Sequence, residues 1–157
     1  MRFTLINNLQ KDSSMSLILR GLIVFMLLFL ISDILVMKSN FGISAQTINT
    51  TLFGDEEAYI DPISESSFLE FWHTQIFFIM MTLLTLSAIF IKVAKRSRTF
   101  FTNIVMISAI ISLISLPLSF YMSKFFTDIF IWTYFIWHTV ALYMIFYSFW
   151  KLNAKSV

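Results

Sequence analysis

Five ionisable side chains lie inside or at the edge of long apolar runs: Asp33, Glu70, His73, Asp128 and His138. Any chemistry of this chain has to start from them. A charged group at the middle of a membrane-spanning helix costs roughly 2.5–3.5 kcal/mol, less near the helix ends, so each needs a partner or a purpose. Glu70 and His73 are three residues apart and share a helix face. A carboxylate beside an imidazole fixes its tautomer and supports proton relay, or steadies a metal ligand from behind. Glu70 also has a purely structural reading, because Ser67-Phe68-Leu69-Glu70 has the pattern of a capping box. Asp33 stands close to the far end of the first apolar run, where the alternative to function is a carboxylate at headgroup depth. Asp128 opens the last apolar run, and a carboxylate there suits a helix N-terminus. Asp33, Glu70, His73 and Asp128 all map near one membrane face and, with Gln75, suggest a polar cluster there. Asp33 and Glu70 are its candidate proton-handling carboxylates.

His138 lies deep in the last apolar run. Thr127, Ile131, Tyr134, His138, Ala141, Leu142 and Ile145 recur at helical spacing and form one stripe. A histidine facing the interior of a bundle needs a carbonyl, a hydroxyl, water, a cofactor or a metal as partner. Two Trp-His dipeptides, Trp72-His73 and Trp137-His138, stand on different apolar runs. Two such histidines are the ligand set of a non-covalent haem b. In this respect the chain is loosely similar to small b-type cytochrome membrane subunits, and only those two dipeptides carry the likeness. The resemblance implies His73 and His138 as cofactor-binding residues. Depth speaks against a shared iron: counted from the helix entrances, His73 lies about 3–8 Å deep and His138 about 14 Å, at 1.5 Å per residue.

Other chemistries find little support. The chain has no cysteine, so disulfides, iron–sulfur clusters and thioether-linked haem are excluded. Two histidines without cysteine make a poor tetrahedral zinc set, and no metal site is expected. No nucleophile motif or phosphate-binding glycine loop occurs, so an enzyme is not the expected class. The net charge is only +2 and the basic residues sit at the ends of apolar runs, so nucleic acid is not a partner. Asn49-Thr50-Thr51 matches a glycosylation triplet.

The elements that must position these groups follow from composition. Hydrophobic residues make up 58% of the 157 residues, aromatics 18% and charged residues 13%. That leaves too little polar surface to cover a water-soluble core, and it suits lipid as solvent. The apolar runs predict spanning helices over 16–37, 68–92, 99–122 and 129–150. The first is read as a retained anchor, because it is longer than the apolar core of a signal peptide and contains Asp33. Between them lie a cytoplasmic tail (1–15), an acidic outer segment (38–67), a basic turn (93–98), a short outer loop (123–128) and a closing tail (151–157). Within the outer segment a short surface helix is expected near Glu56–Ile60. Pro117 is expected to kink or loosen the end of the third helix. Ser108, Ser112, Ser115 and Ser119 fall on one face of that helix and read as a small-residue packing seam.

Arg2, Lys11, Arg20, Lys92, Lys95, Arg96, Arg98, Lys151 and Lys155 fall at one end of this arrangement, and only Lys38 and Lys124 at the other. The positive-inside rule then puts both termini in the cytoplasm. The sequence thus predicts an all-α integral membrane protein, a four-helix up-down bundle in a membrane of bacterial inner-membrane type. The expected function is a structural or accessory subunit packing against other membrane subunits or itself. The rivals are a haem or proton-transfer subunit built on His73 and His138, and a small oligomeric solute carrier.

Overall fold

A computed structural model describes residues 13–94 and 98–154. Five helices follow one another: α1 (Ser13–Asn40), α2 (Ala45–Phe53), α3 (Glu65–Val93), α4 (Arg98–Tyr121) and α5 (Phe125–Asn153). Four of them, all but α2, are long and apolar enough to cross a membrane. Arg2, Lys11, Lys95, Arg96 and Lys155 lie outside the described residues, as do most of the first tail, the last three residues and the centre of the basic turn.

Contacts at the helix ends fix the up-down order. At one end Arg20 of α1 donates from Nη2 to the Leu152 carbonyl of α5, at 3.4 Å. At the other, the Tyr121 hydroxyl at the close of α4 donates to Glu65 at the start of α3, at 2.7 Å. Beneath that contact Phe68 stacks on Phe120 with ring centroids 4.3 Å apart. α5 is the hub of the bundle. It touches every other helix, and its contact with α4 is the most extensive in the molecule. Close approach of α4 is possible because Ser108, Ser112, Ser115 and Ser119 are all buried along one face, where bulkier side chains would hold the helices apart.

Three of the spanning helices, α1, α3 and α5, run longer than the apolar runs alone suggested, because polar residues near a membrane surface can still complete a helix. α3 begins at Glu65, three residues before the expected start, and its N-cap is Ser64. The Ser64 hydroxyl accepts from the Ser67 N–H at 3.2 Å. The expected Ser67–Glu70 capping box is therefore corrected: Ser67 is already inside the first turn, and Glu70 is an exposed residue of the helix body.

The outer segment also differs. Its helix is α2, capped by a reciprocal Ser44–Thr47 box, and residues 56–59 form a turn instead. The cause is Asp55, whose carboxylate accepts from the N–H groups of Glu57 and Ala58 and so competes with helix formation. Gly54, at φ 78°, ends α2, and a Cβ there would come within 2.8 Å of the Ile60 carbonyl oxygen. α2 lies against the start of α5. Asn49 accepts from the Thr127 hydroxyl at 2.7 Å, and Thr127 in turn is bonded to Ser119. Since the Thr127 proton goes to Asn49, Ser119 must be the donor in the second bond. This chain ties α2, α5 and α4 together through the side-chain carbonyl oxygen of Asn49.

Pro117 sits inside α4 without breaking it. Proline lacks the N–H that would bond the carbonyl four residues earlier, here that of Leu113. The Trp72 indole Nε1 of α3 supplies the missing donor, at 2.8 Å. In lipid no water is at hand to satisfy an orphan carbonyl, so a neighbouring helix does so. The expected loosening is thus replaced by a cross-helix bond.

Candidate functional site: a buried aspartate–histidine pair

Asp33 of α1 and His138 of α5 meet inside the bundle, although 105 positions separate them in number. Asp33 is 4% exposed and His138 2%. Asp33 Oδ2 lies 3.1 Å from His138 Nε2, and the same oxygen accepts a hydrogen bond from the Tyr134 hydroxyl at 3.0 Å. Tyr134 stands one turn before His138 on α5, so both side chains fall on the face that α5 turns to α1. Asp33 belongs to the single stripe that α1 buries, with Ile23, Met26, Leu30 and Met37. Trp137, fully buried, lies against the imidazole with ring centroids 3.7 Å apart.

Charge and hydrogen count determine what this arrangement holds. His138 Nδ1 is 3.0 Å from the Tyr134 carbonyl oxygen. A carbonyl only accepts, so Nδ1 carries a hydrogen. Nε2 is then either bare or protonated. A bare Nε2 beside an ionised carboxylate would set two lone-pair atoms together and leave a buried negative charge without a counter-ion. This is the only ion pair between described residues, and no lysine or arginine takes part. Leaving a charge unpaired in a low-dielectric interior is far costlier than holding a proton. The pair therefore carries one, as imidazolium–carboxylate or as neutral imidazole and carboxylic acid. Nε2 does not point along an aligned hydrogen bond to Oδ2, and it counts as a buried polar atom with no such bond. The two groups are held in contact without a straight hydrogen bond between them.

Two crevices, each of about 20 Å³, border Tyr134. One lies beneath the α1–α2 turn and α2 and includes Met37, Gly42, Ile43, Ile48 and Phe130. The other lies between α3, α4 and α5 and includes Trp72, Gln75, Ser112, Leu116 and Phe130. Each has about the volume of one water; the second also carries the polar side chains of Gln75 and Ser112, whereas the first is apolar apart from Tyr134.

The other residues singled out by sequence do not join this site. His73 and Glu70 are both exposed on α3 and form no ion pair with each other, although they are three residues apart. His73 is therefore not brought to His138, whose Nδ1 is engaged and whose Nε2 faces Asp33. Asp128 is exposed in the first turn of α5, where its charge meets the helix N-terminus favourably. The polar cluster expected near one face thus divides: Asp33 turns inward, while Glu70, His73 and Asp128 turn outward. Gln75 is half-buried beside a crevice. Among the described residues no group of three or more histidines and carboxylates is placed to hold a metal ion. The stripe of α5 is buried or half-buried along its length, as its spacing predicts. Tyr134 belonged to that stripe, and a hydroxyl one turn from a deep histidine was the signal for its role.

Four apolar spanning helices around a buried core define a polytopic α-helical membrane protein. The chain belongs to the Aq_1264_TM family, described as a transmembrane helical domain, whose pattern it matches over residues 42–156. That match takes in α2 to α5, with Tyr134 and His138, and stops short of α1 and Asp33. No curated protein and no solved structure matches the chain.

Proposed function

We propose that this protein is a proton-handling subunit of a membrane complex, with the proton held between Asp33 and His138. One observation carries the reading: a carboxylate and an imidazole 3.1 Å apart, both nearly inaccessible, in a bundle whose other buried residues are apolar or small. An intramembrane ionisable pair is a functional site by default, because an apolar pair would pack there at lower cost. The pair joins α1 to α5, so proton loss would leave like partial charges face to face and push those helices apart. A partner subunit resting on the lipid-facing side of α1 would sense that movement. Glu70 and His73, exposed on α3, have no part in this step. By the distribution of basic residues, the α2 end faces away from the cytoplasm, in a membrane of bacterial inner-membrane type.

The test is spectroscopic. His73→Gln leaves His138 as the only histidine, and its imidazole 15N resonances in lipid nanodiscs are followed against pH. A single titration whose midpoint moves when Asp33→Asn is added supports the reading. A histidine spectrum indifferent to Asp33 would sink it.

A second reading is favoured by the position of the pair, which bridges two helices. Here Asp33 and His138 fix the register of α1 on α5 and the protein is a structural accessory subunit. It predicts that Asp33→Asn impairs recovery of the partner complex and leaves the complex that does assemble fully active.

A further inference from the structure

Resting on that reading, we propose that the Asp33–His138 proton exchanges with only one side of the membrane, the side of α2, through the Tyr134 hydroxyl. The polar groups of the interior are unevenly placed. Counted along the helix, Asp33 lies about 10 Å from the α2 end of α1 and His138 about 20 Å from the same end of α5. On that side stand Tyr134, Thr127, Ser119, Gln75 and Asn49, together with both crevices. On the opposite side α1 and α5 close the interior with Ile23, Met26, Leu30, Ala141, Met144 and Ile145, each at most 5% exposed. The buried polar atoms toward that end are the hydroxyls of Ser148, Ser87, Ser108 and Thr102 and the Nε of Arg20, and all of them except Ser108 have no hydrogen-bond partner. Among the described residues none of these groups is hydrogen-bonded to another, so they form no continuous polar line.

Tyr134 is the link. It borders both crevices, and its hydroxyl donates to Asp33 Oδ2. Proton uptake passes one proton along. A hydronium in the crevice beside Gln75 and Ser112 gives a proton to the Tyr134 oxygen as the hydroxyl proton moves to Asp33 Oδ2. Water and the tyrosine hydroxyl are restored, and the pair gains one proton to share with Nε2. Release reverses the steps. The groups that share the second crevice with Tyr134 from other elements are uncharged: Gln75 and Ile79 from α3, Ser112 and Leu116 from α4. No titratable group other than Tyr134 lines either crevice. Tyr134 is a relay and positioning residue in this scheme, and Asp33 and His138 are the binding groups.

The absence of native cysteine allows a clean sided experiment. The His73→Gln protein, carrying one cysteine introduced at Glu57, is reconstituted in liposomes and sorted by labelling with a membrane-impermeant maleimide. The His138 15N signal is then read with a different pH inside and outside. The expected result is a signal that follows the pH of the Glu57 side alone, with at least tenfold slower response in Tyr134→Phe. A signal that follows the other side, or both, overturns the sided access while leaving the proton-binding reading intact. A Tyr134→Phe protein that responds at the parental rate removes the relay. A His138 signal that never titrates, in liposomes or nanodiscs, defeats the proton-binding reading itself.

Discussion

Removing one member of the Asp33–His138 pair leaves the other without its counter-ion inside a lipid-surrounded core. Breaking a buried pair in this way costs about 3–5 kcal/mol, whereas replacing both members with apolar residues is close to neutral. Asp33→Ala and His138→Ala are each expected to destabilise the bundle by about 3 kcal/mol. The double variant Asp33→Leu/His138→Leu should recover most of that loss, read as unfolding free energy by steric trapping in bicelles. Additive losses would show that the two groups do not act as a pair. Trp137 offers the opposite case. Its indole Nε1 is buried with no hydrogen-bond partner, so the nitrogen contributes a desolvation cost and no bond. Trp137→Phe is expected to stay within about 1 kcal/mol of the parent, because loss of packing and loss of the unpaired N–H offset each other. His138 was legible in sequence as a buried group in need of a partner. The partner was not, because Asp33 and Glu70 look alike to a one-dimensional reading. Only the rotation of each helix decides which of the two carboxylates turns inward.

At the scale of the element, the α3–α4 contact depends on a carbonyl that proline leaves free. Trp72→Phe should cost about 1–3 kcal/mol, the usual penalty for an unsatisfied buried acceptor. With Pro117→Ala the N–H of residue 117 returns to the Leu113 carbonyl, and Trp72→Phe should then cost markedly less. A double-mutant cycle in the same unfolding assay checks this, and an unchanged cost would disconnect Trp72 from the proline. Half of that device can be seen in the sequence, since Pro117 points back four residues to Leu113. The donor cannot be seen, because Trp72 reads equally well as an interfacial aromatic. The Ser108–Ser119 seam was legible, because small residues at spacings of four, three and four share one helix face and let a neighbouring helix approach closely. The α3 start and α2 were not. In both places a short-range competition between side-chain and backbone hydrogen bonds, at Ser64 and at Asp55, moved the boundary.

For the whole molecule, the described basic residues Arg20, Lys92, Arg98 and Lys151 belong to one end, and Lys38 and Lys124 to the other. A reporter active only outside the cytoplasm is expected to be silent when fused after Val157 and active when inserted near Gly54; the reverse would invert the orientation. The number of spans, their order and the apolar character of the bundle were settled by sequence alone, because crossing lipid demands long runs without charge and such runs are visible without a fold. What only tertiary structure decided is which face of each helix looks inward. In lipid the outward residues of α5, among them Trp132, Phe135, Ile136 and Phe146, are as apolar as those it buries. Hydropathy then carries no signal for rotation, and the inward face is set by packing and by the few polar groups that must meet. That is why four helices could be counted from the sequence, while the meeting of Asp33, Tyr134 and His138 appeared only when they were assembled.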